Sequence, residues 1–331
     1  MTPAEVISHL LPTRLEARRS AEHFAPSNIA LCKYWGKRDS LFNLPVNASL
    51  SVSLGYLGTR TRVTPIDAPA DEVWLNGQQL LPSARFSEKI SAFIDLIRGD
   101  QSLHFRIETR NNIPTAAGLA SSASGFAALT RALDDALQLN LEPEHLSVLA
   151  RLGSGSACRS LFTGFVEWQM GSRADGLDSH GVPLESTWPG LCIGLAKVDT
   201  GEKAVDSRSG MQRTVETAHL YQSWPLQAAA DLEKLHQAIA RRDFDLLGQT
   251  AEQNALSMHA TMIASWPPLL YWQPESVATM QKVWELRREG LPLYFTMDAG
   301  PNLKLLFERR HRDEVLRHFP ELETVEPFGQ S

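Results

Sequence analysis

Residues 111–125 read Asn-Asn-Ile-Pro-Thr-Ala-Ala-Gly-Leu-Ala-Ser-Ser-Ala-Ser-Gly. An alternating polar and apolar segment at 104–109 precedes this run, and a small-residue, apolar segment at 126–137 follows it. The pattern predicts a strand, a loop and a helix in succession. Such a loop favours phosphate, because the unpaired N–H groups and the dipole of the following helix both attract an anion.

This loop differs from the two common nucleotide-binding motifs. Gly118 and Gly125 form no Gly-x-Gly-x-x-Gly array, and no Gly-Lys-Ser/Thr sequence follows them. The serines of the loop can donate hydroxyl hydrogen bonds to phosphate or bind magnesium. On composition alone, a tight turn before a helix that packs against a sheet explains the segment equally well.

Short strands and helices surround the loop in the first half of the chain. Residues 47–54 alternate polar and apolar, as a strand with one buried face does. Asn76-Gly77 is typical of a tight hairpin turn. The predicted elements here are a hairpin at 73–78, helices at 87–97 and 142–152, and strands at 165–168 and 191–195.

The pattern becomes mostly helical after about residue 200. Apolar residues recur at helical spacing through 226–265. A helix at 276–288, a strand at 291–297 and a closing helix at 303–319 are predicted to follow. We therefore expect an α+β protein of two domains, residues 1–200 and residues 201–331, with a boundary near 196–210.

Composition excludes several classes of protein. The 331 residues are 43% apolar and 21% charged, values typical of a globular chain. Lys and Arg total 32 against 38 Asp and Glu, a net charge of −6, so no nucleic-acid partner is expected. No apolar run approaches ~18 residues, which argues against a membrane partner. Three scattered cysteines and no signal-peptide core favour a reducing, cytoplasmic location.

Two segments carry cations among small or apolar residues. Residues 154–160, Ser-Gly-Ser-Ala-Cys-Arg-Ser, place hydroxyls and Arg159 where they can hold a carboxylate, although a helix cap with a surface arginine is the simpler explanation. Residues 27–39 contain Lys33 and Lys37 on either side of Tyr34-Trp35. A buried lysine there would need an anionic partner, and a basic strand end at the surface is the alternative.

Asp298 follows an apolar strand and precedes a Gly-Pro turn. A carboxylate in that position can orient a hydroxyl group and accept its proton. The alternative is an ordinary turn or helix-capping aspartate.

Taken together and in this order, the segments 28–39, 112–125, 153–160 and 295–302 resemble the diphosphomevalonate decarboxylase family of the GHMP kinase superfamily. Residues 207–212, Ser-Arg-Ser-Gly-Met-Gln, are similar to a further family segment. The resemblance extends from about residue 22 to about residue 310. It implies the GHMP kinase fold, with an N-terminal domain like ribosomal protein S5 domain 2 and a ferredoxin-like C-terminal domain.

The resemblance also implies a reaction. ATP phosphorylates the tertiary 3-hydroxyl of (R)-5-diphosphomevalonate, the phosphate leaves, and the carboxylate is lost as CO2 to give isopentenyl diphosphate and ADP. ATP and Mg2+ are implied as co-substrate and cofactor, and a homodimer as the assembly. Leaving-group loss develops positive charge at the tertiary carbon, which a nearby carboxylate can stabilise.

Site residues are implied residue by residue. The catalytic set is Asp298 at the 3-hydroxyl, Lys33 beside it, Arg159 on the departing carboxylate, and Asn28, which orients Arg159. The implied substrate-binding residues are Tyr34, Trp35, Gly36, Lys37, Ser154, Gly155, Ser156, Ala157, Cys158, Arg159, Arg208 and Met211. The implied ATP-binding residues are Pro114, Ala117, Gly118, Leu119, Ala120, Ser121, Ser122, Ser124 and Ser207. Ser122 is the implied magnesium ligand.

One position departs from the family pattern. Some relatives carry an arginine where this chain has Glu72, two residues before Trp74. Arg208 or another cation then has to compensate at the diphosphate. The alternatives are a kinase that does not decarboxylate, a decarboxylase of the monophosphate, and a binding module without activity. Asp298, Lys33 and the glycine loop favour an active decarboxylase.

Overall fold

The structure is a computed structural model that describes residues 2–113, 121–198 and 205–329, with the backbone alone at Ser121. Up to residue 183 the strands and helices follow a mixed order. They are α1 (Pro3–Leu10), β1 (Ala21–Cys32), β2 (Lys37–Asp39), β3 (Leu44–Pro45), β4 (Ser49–Ile66), β5 (Glu72–Leu75), β6 (Gln78–Gln79), α2 (Arg85–Arg98), β7 (His104–Asn111), α3 (Ser121–Ala136), α4 (Pro143–Gly153), α5 (Ala157–Ser160), β8 (Phe165–Trp168) and β9 (Gly181–Pro183).

Helices predominate in the remaining part of the described chain. The elements are β10 (Leu191–Ala196), α6 (Ser207–Thr217), α7 (Trp224–Arg241), α8 (Phe244–Ile263), α9 (Pro274–Arg288), β11 (Tyr294–Met297), β12 (Leu303–Glu308), α10 (Arg312–His318) and β13 (Glu323–Val325). Short 3-10 turns lie at His219–Ser223 and Arg309–His311. No helix within the described ranges is both long enough and apolar enough to span a membrane.

Two sheets organise these elements. The first has the order β6-β5-β7-β4-β8-β9, with β1 paired to β4. The 18-residue strand β4 is the central strand of this sheet, because β1, β7 and β8 all pair with it antiparallel. The second sheet has the order β11-β12-β10-β13. Strand β10 therefore belongs to the second sheet, although residues 191–196 fall inside the predicted first domain.

Three apolar clusters hold the sheets and helices together. One lies beneath α3 in the first sheet and includes Phe105 and Phe126. Another lies under the second sheet and includes Phe295. The third joins the two halves, with Val52 of β4 and Trp224 of α7 among its buried members. Each fully buried side chain of this size contributes roughly 1.5–3 kcal/mol, so the junction between the halves is a core in its own right.

Several sequence predictions are confirmed by the backbone. Asn76 and Gly77 both have positive φ, 52° and 86°, and form the turn between β5 and β6. The predicted helices at 87–97, 142–152 and 276–288 correspond to α2, α4 and α9. The helical stretch at 226–265 is divided into α7 and α8 by Arg242, which adopts the left-handed conformation.

Two predictions are wrong. The run from Ser49 to Leu54 is buried on both faces rather than one, because α3 covers one side of β4 and the interdomain core covers the other. The predicted closing helix at 303–319 begins as strand β12, and only residues 312–318 are α-helical. The buried run from Leu303 to Phe307 has no period that distinguishes a strand from a helix, and pairing with β10 and β11 decides it.

The ion pair between His236 of α7 and Glu167 of β8 links the two halves and makes their docking depend on pH. Glu167 raises the pKa of His236 above its ordinary value. The pair therefore stabilises the folded chain fully below the unfolded value of about 6.5, and this contribution is lost as pH rises through the raised folded value. Because the His236 side chain is 37% exposed, solvent screening limits the effect to about 1 kcal/mol or less.

Urea unfolding of the wild type, His236→Gln and the exposed control His219→Gln measures this effect. At about pH 6 we expect His236→Gln to have the lower free energy of unfolding, and at about pH 8.5 the difference should shrink. A deficit that is equal at both pH values would contradict the assignment, and His219→Gln should show none.

Candidate active site

A buried ion pair lies where the two halves meet. Lys33 follows the last residue of β1 and is 2% exposed, and Asp298 follows the last residue of β11. Lys33 Nζ lies 2.9 Å from Asp298 Oδ1 and donates a second hydrogen bond to the carbonyl of Ala30 at 2.7 Å. The Asp298 side chain remains 34% exposed, so a ligand can approach it. Burial lowers the pKa of Lys33, and Asp298 opposes that shift.

Side chains hold the backbone of Lys33 on both sides. Its N–H donates to Asn254 Oδ1 at 2.8 Å, and Asn254 in turn donates to the buried Asp231 of α7 at 2.9 Å. Its carbonyl accepts a hydrogen bond from Asn47 at 2.9 Å, and Trp224 donates to Asn47 at 3.2 Å. Both chains of hydrogen bonds, which we call the clamp on Lys33, end at residues of α7. Docking of the second half therefore fixes the position of Lys33.

Arg159 is a buried cation on α5, 3% exposed. It donates to Ser49 Oγ, and to Asn28 Oδ1 at 3.4 Å, while Asn28 donates to Ser160 Oγ at 2.7 Å. Among the described residues no carboxylate forms an ion pair with Arg159, and its Nε has no hydrogen-bond partner. An unpaired buried guanidinium is costly, so the site suits an anion such as a carboxylate. The alternative of a surface arginine is therefore wrong.

Tyr34 lies close to this cation, and Lys37 begins strand β2 three residues further along the chain. The ring of Tyr34 packs on Trp168 with centroids 4.6 Å apart, and burial raises the pKa of its hydroxyl. Within the described ranges that hydroxyl has no hydrogen-bond partner. Lys37 Nζ donates to Asn43 at 2.6 Å, and burial, with a smaller contribution from Arg208, lowers its pKa to about 8.

Gly36 has to be glycine. Its φ is +109°, and a Cβ there would lie 1.7 Å from Tyr221 Oη. Tyr221 donates to the carbonyl of Trp35 at 3.0 Å. Trp35 itself is a member of the interdomain core, as is Met211 of α6. These two candidate binding residues therefore pack in the core that supports the site.

The segment 154–158 turns close to Tyr34. A Cβ on Gly155 would come within 2.9 Å of Trp168 and 3.2 Å of Tyr34, so the glycine permits this approach. Ala157 and Cys158 are fully buried, which leaves the serines of the segment, Ser154 and Ser156, as its partly exposed polar groups. Burial raises the pKa of the Cys158 thiol to about 12, so it remains protonated.

Part of the predicted phosphate loop can be located. Pro114, Ala117, Gly118, Leu119 and Ala120 lie outside the described residues. Ser122 is exposed in the first turn of α3, 3.5 Å from the Ser154 hydroxyl. Ser124 is fully buried, with Oγ 2.7 Å from Thr59 Oγ1 and 3.3 Å from Ser27 Oγ.

Helix α6 presents its first residues to solvent. Asp206 caps the helix by accepting from the N–H groups of Arg208 and Ser209. Ser207 and Arg208 are exposed there. Since Arg208 contributes to the lowered pKa of Lys37, its charge is felt at the same site.

Two residues that sequence reasoning missed also reach Asp298. Lys304 of β12 is 2% exposed, and its Nζ lies 3.7 Å from Asp298 Oδ2. His259 of α8 lies 3.0 Å from the backbone carbonyl of Asp298, and burial lowers its pKa to about 4, so the ring is neutral and donates through Nε2. A lysine within the apolar run Leu303–Phe307 was the available signal for Lys304.

The donor set suits magnesium only as a partner of phosphate. Within 2–113, 121–198 and 205–329 no three His, Cys, Asp or Glu side chains could together hold a metal ion. Magnesium commonly binds one or two protein groups together with substrate phosphates and water. The exposed hydroxyl of Ser122 at a helix N-terminus fits that arrangement.

The fold and the site define an enzyme of the GHMP kinase type. Residues 25–181 match the diphosphomevalonate decarboxylase-like N-terminal domain, and residues 195–327 match the mevalonate 5-diphosphate decarboxylase C-terminal domain. The chain belongs to the diphosphomevalonate decarboxylase family. The diphosphomevalonate decarboxylase of Candida albicans is 38% identical over 321 residues, covering 91% of this chain and 88% of the relative.

Solved structures of relatives agree with the fold. The mevalonate diphosphate decarboxylase of Staphylococcus aureus superposes with a TM-score of 0.87 at 41% identity, covering 93% of this chain and 95% of that one. A structure described as MDDEF in complex with MVAPP, AMPPCP and magnesium gives 0.87 at 41% identity, covering 94% and 98%. The mevalonate diphosphate decarboxylase of Enterococcus faecalis gives 0.86 at 40%, with the same coverage.

The clamp on Lys33 predicts the behaviour of Asn254→Ala. This change leaves the Lys33 N–H and a carboxylate oxygen of Asp231 without their partner, and each unpaired buried group costs roughly 1–3 kcal/mol. We expect a lower free energy of unfolding and a fall in turnover. The matched control is Gln253→Ala, which changes the neighbouring, exposed position of α8. Equal urea midpoints for the two variants would show that the clamp contributes nothing.

Proposed function

We propose that the chain catalyses the ATP-dependent decarboxylation of (R)-5-diphosphomevalonate to isopentenyl diphosphate, with ADP, phosphate and CO2 as the other products. The observation that carries this proposal is the Lys33–Asp298 pair beside a buried Arg159 that has no carboxylate partner in the described chain. Membership of the diphosphomevalonate decarboxylase family supports the substrate and the reaction.

Asp298 and Lys33 act on the 3-hydroxyl. The exposed part of the Asp298 carboxylate orients the hydroxyl and takes its proton as the new oxygen–phosphorus bond forms and the bond between the γ-phosphorus and ADP breaks. Lys33 has three N–H donors, and Asp298 and Ala30 account for two of them. The remaining donor can neutralise charge on the transferred phosphoryl group, which is the main requirement of this chemistry.

Arg159 acts on the carboxylate that is lost. Its guanidinium is fixed by Ser49 and Asn28, so it can hold the carboxylate while the bond between C3 and the phosphate oxygen breaks. The electron pair of the carbon–carboxylate bond then forms the alkene, and CO2 leaves. The departing phosphate takes the proton back from Asp298, and the carboxylate, ionised again, stabilises the positive charge that develops at C3.

Tyr34, Lys37, Ser154 to Ser156 and Arg208 bind the diphosphate of the substrate. Glu72 does not take part, because it pairs with Arg106 at 2.8 Å. The cation that replaces the arginine of some relatives is therefore supplied by Lys37 with Arg208. The Tyr34 hydroxyl, which has no hydrogen-bond partner among the described residues, and the partly exposed serines offer hydrogen bonds to the phosphate oxygens.

The residues that bind ATP are Pro114, Ala117, Gly118, Leu119, Ala120, Ser121, Ser122, Ser124 and Ser207. Ser122, exposed in the first turn of α3, would hold the magnesium ion. Magnesium, when bound, neutralises the phosphate charge of the nucleotide.

The division between the domains falls between β9 and β10 rather than at residue 200, since β10 pairs within the second sheet. A homodimer in the cytoplasm completes the proposal.

Product stoichiometry tests this reaction. With diphosphomevalonate labelled at carbon 1, ATP and magnesium, we expect equal amounts of ADP and labelled CO2. ADP alone would identify a kinase, and activity only with the monophosphate would overturn the substrate assignment.

In Asp298→Asn, turnover should fall by about 100-fold or more with little change in substrate Kd, because the charge acts in the transition state. Near-normal turnover of this variant would refute the role of Asp298.

The lowered pKa of Lys37 predicts a basic limb in the pH profile. With a pKa of about 8, Lys37 is charged below that pH and loses its charge above it. We expect kcat/KM for the diphosphate to fall as pH rises past about 8, since this parameter reports groups of the free enzyme. In Lys37→Gln the value should be low throughout and the limb absent. A limb that persists in Lys37→Gln would assign it to another group.

A further inference from the structure

Asp298 is bound by two buried lysines, not one. Lys33 Nζ lies 2.9 Å from Oδ1, and Lys304 Nζ lies 3.7 Å from Oδ2. The lysines come from different strands, since Lys33 follows β1 and Lys304 is the second residue of β12. Each carboxylate oxygen therefore has its own ammonium group, and rotation of the carboxylate would separate both pairs.

Lys304 is poorly explained as a structural residue. It is 2% exposed within a run of apolar residues, and burial lowers its pKa, with Asp298 opposing the shift. Burying an ammonium group is costly, and a well-packed apolar residue commonly serves as well or better for stability. Its other hydrogen bond, to the carbonyl of Asn302 at 3.3 Å, is long. The position of its charge beside Asp298 is the feature that an apolar residue would lack.

We propose that Lys304 is a positioning residue that holds the Asp298 carboxylate ionised and fixed in rotation, so that Lys33 can turn its charge to the phosphoryl group. This inference rests on the proposed function. As Lys33 begins to interact with the incoming phosphoryl oxygens, it stabilises the negative charge of Asp298 less. Lys304 lies beside the other carboxylate oxygen and continues to stabilise that negative charge during the transfer.

The other groups around Asp298 do not replace Lys304. His259 of α8 bonds the backbone carbonyl of Asp298 and is neutral. Arg159 of α5 interacts with Asp298 through charge, but within the described chain its side chain donates hydrogen bonds to Ser49 and Asn28. Among the described residues the other cation paired with Asp298 is Lys33, and it is engaged in transfer. Loss of Lys304 should therefore raise the pKa of Asp298, because a nearby positive charge that favours the ionised carboxylate is removed.

The test compares the full-length wild type with Lys304→Met in the CO2-release assay across pH. We expect kcat to fall by about 10-fold or more with KM changed by less than about 3-fold, and the acid limb of the kcat profile to move to higher pH by about 1 unit. The midpoint of thermal unfolding should fall little, since Lys33 still pairs with Asp298 and the repulsion between Lys304 and Lys33 is removed. A purely structural lysine would instead lower the unfolding midpoint and leave the acid limb in place.

Two further variants separate charge from shape. Lys304→Arg should keep the acid limb near its wild-type position, whereas Lys304→Gln should move it as Lys304→Met does, and this pair decides the matter if Lys304→Met does not fold. Lys282→Met on α9, remote from Asp298, is the matched control and should behave as wild type. An unchanged kcat and acid limb in folded Lys304→Met or Lys304→Gln would overturn the inference. A wild-type chain that releases no CO2 would refute the proposed function instead.

Discussion

The structure depends on one ion pair, between a buried lysine and a partly exposed aspartate, that neither half of the chain can form alone. Lys33 lies at the end of a strand in the first sheet, and Asp298 lies at the end of a strand in the second. Each strand ends at the point where its chain must leave the sheet, so both side chains are directed by rigid elements. The interdomain core, with Val52 and Trp224 among its members, keeps water from much of this junction. Docking of the halves and assembly of the site are therefore one event.

The same junction concentrates positive charge. Lys33, Lys304 and Arg159 are all buried, and burial is the largest cause of the lowered pKa of each. Lys304 and Arg159 also lower the pKa of Lys33 through direct repulsion. The described part of the site holds more cationic than anionic side chains, although the net charge of the chain is −6. A substrate that carries a carboxylate and a diphosphate offsets both the desolvation of these cations and their mutual repulsion, which favours its binding.

Much of the fold follows from local patterns, and the exceptions have physical causes. The turn at Asn76-Gly77 and the strand that leads into Asp298 were predictable, because tight turns and apolar runs are local signals. Strand β12 was not predictable, because an apolar run that is buried on all sides shows neither the periodicity of a strand nor that of a helix. The clamp on Lys33 has no local signal either, since Lys33 and Asn254 are 221 residues apart. Lys304 was missed together with its strand. For the loop at 114–120, phosphate binding stays a prediction.

Gly36 shows how closely the two halves constrain each other. The space for a side chain at that position is occupied by the hydroxyl of Tyr221, which comes from the other half and bonds the neighbouring carbonyl of Trp35. The residue that position 36 can hold therefore depends on the residue at position 221. Any lineage that exchanged glycine for a larger residue would first have to give up the tyrosine, so domains recombined from distant relatives would have to carry both residues together.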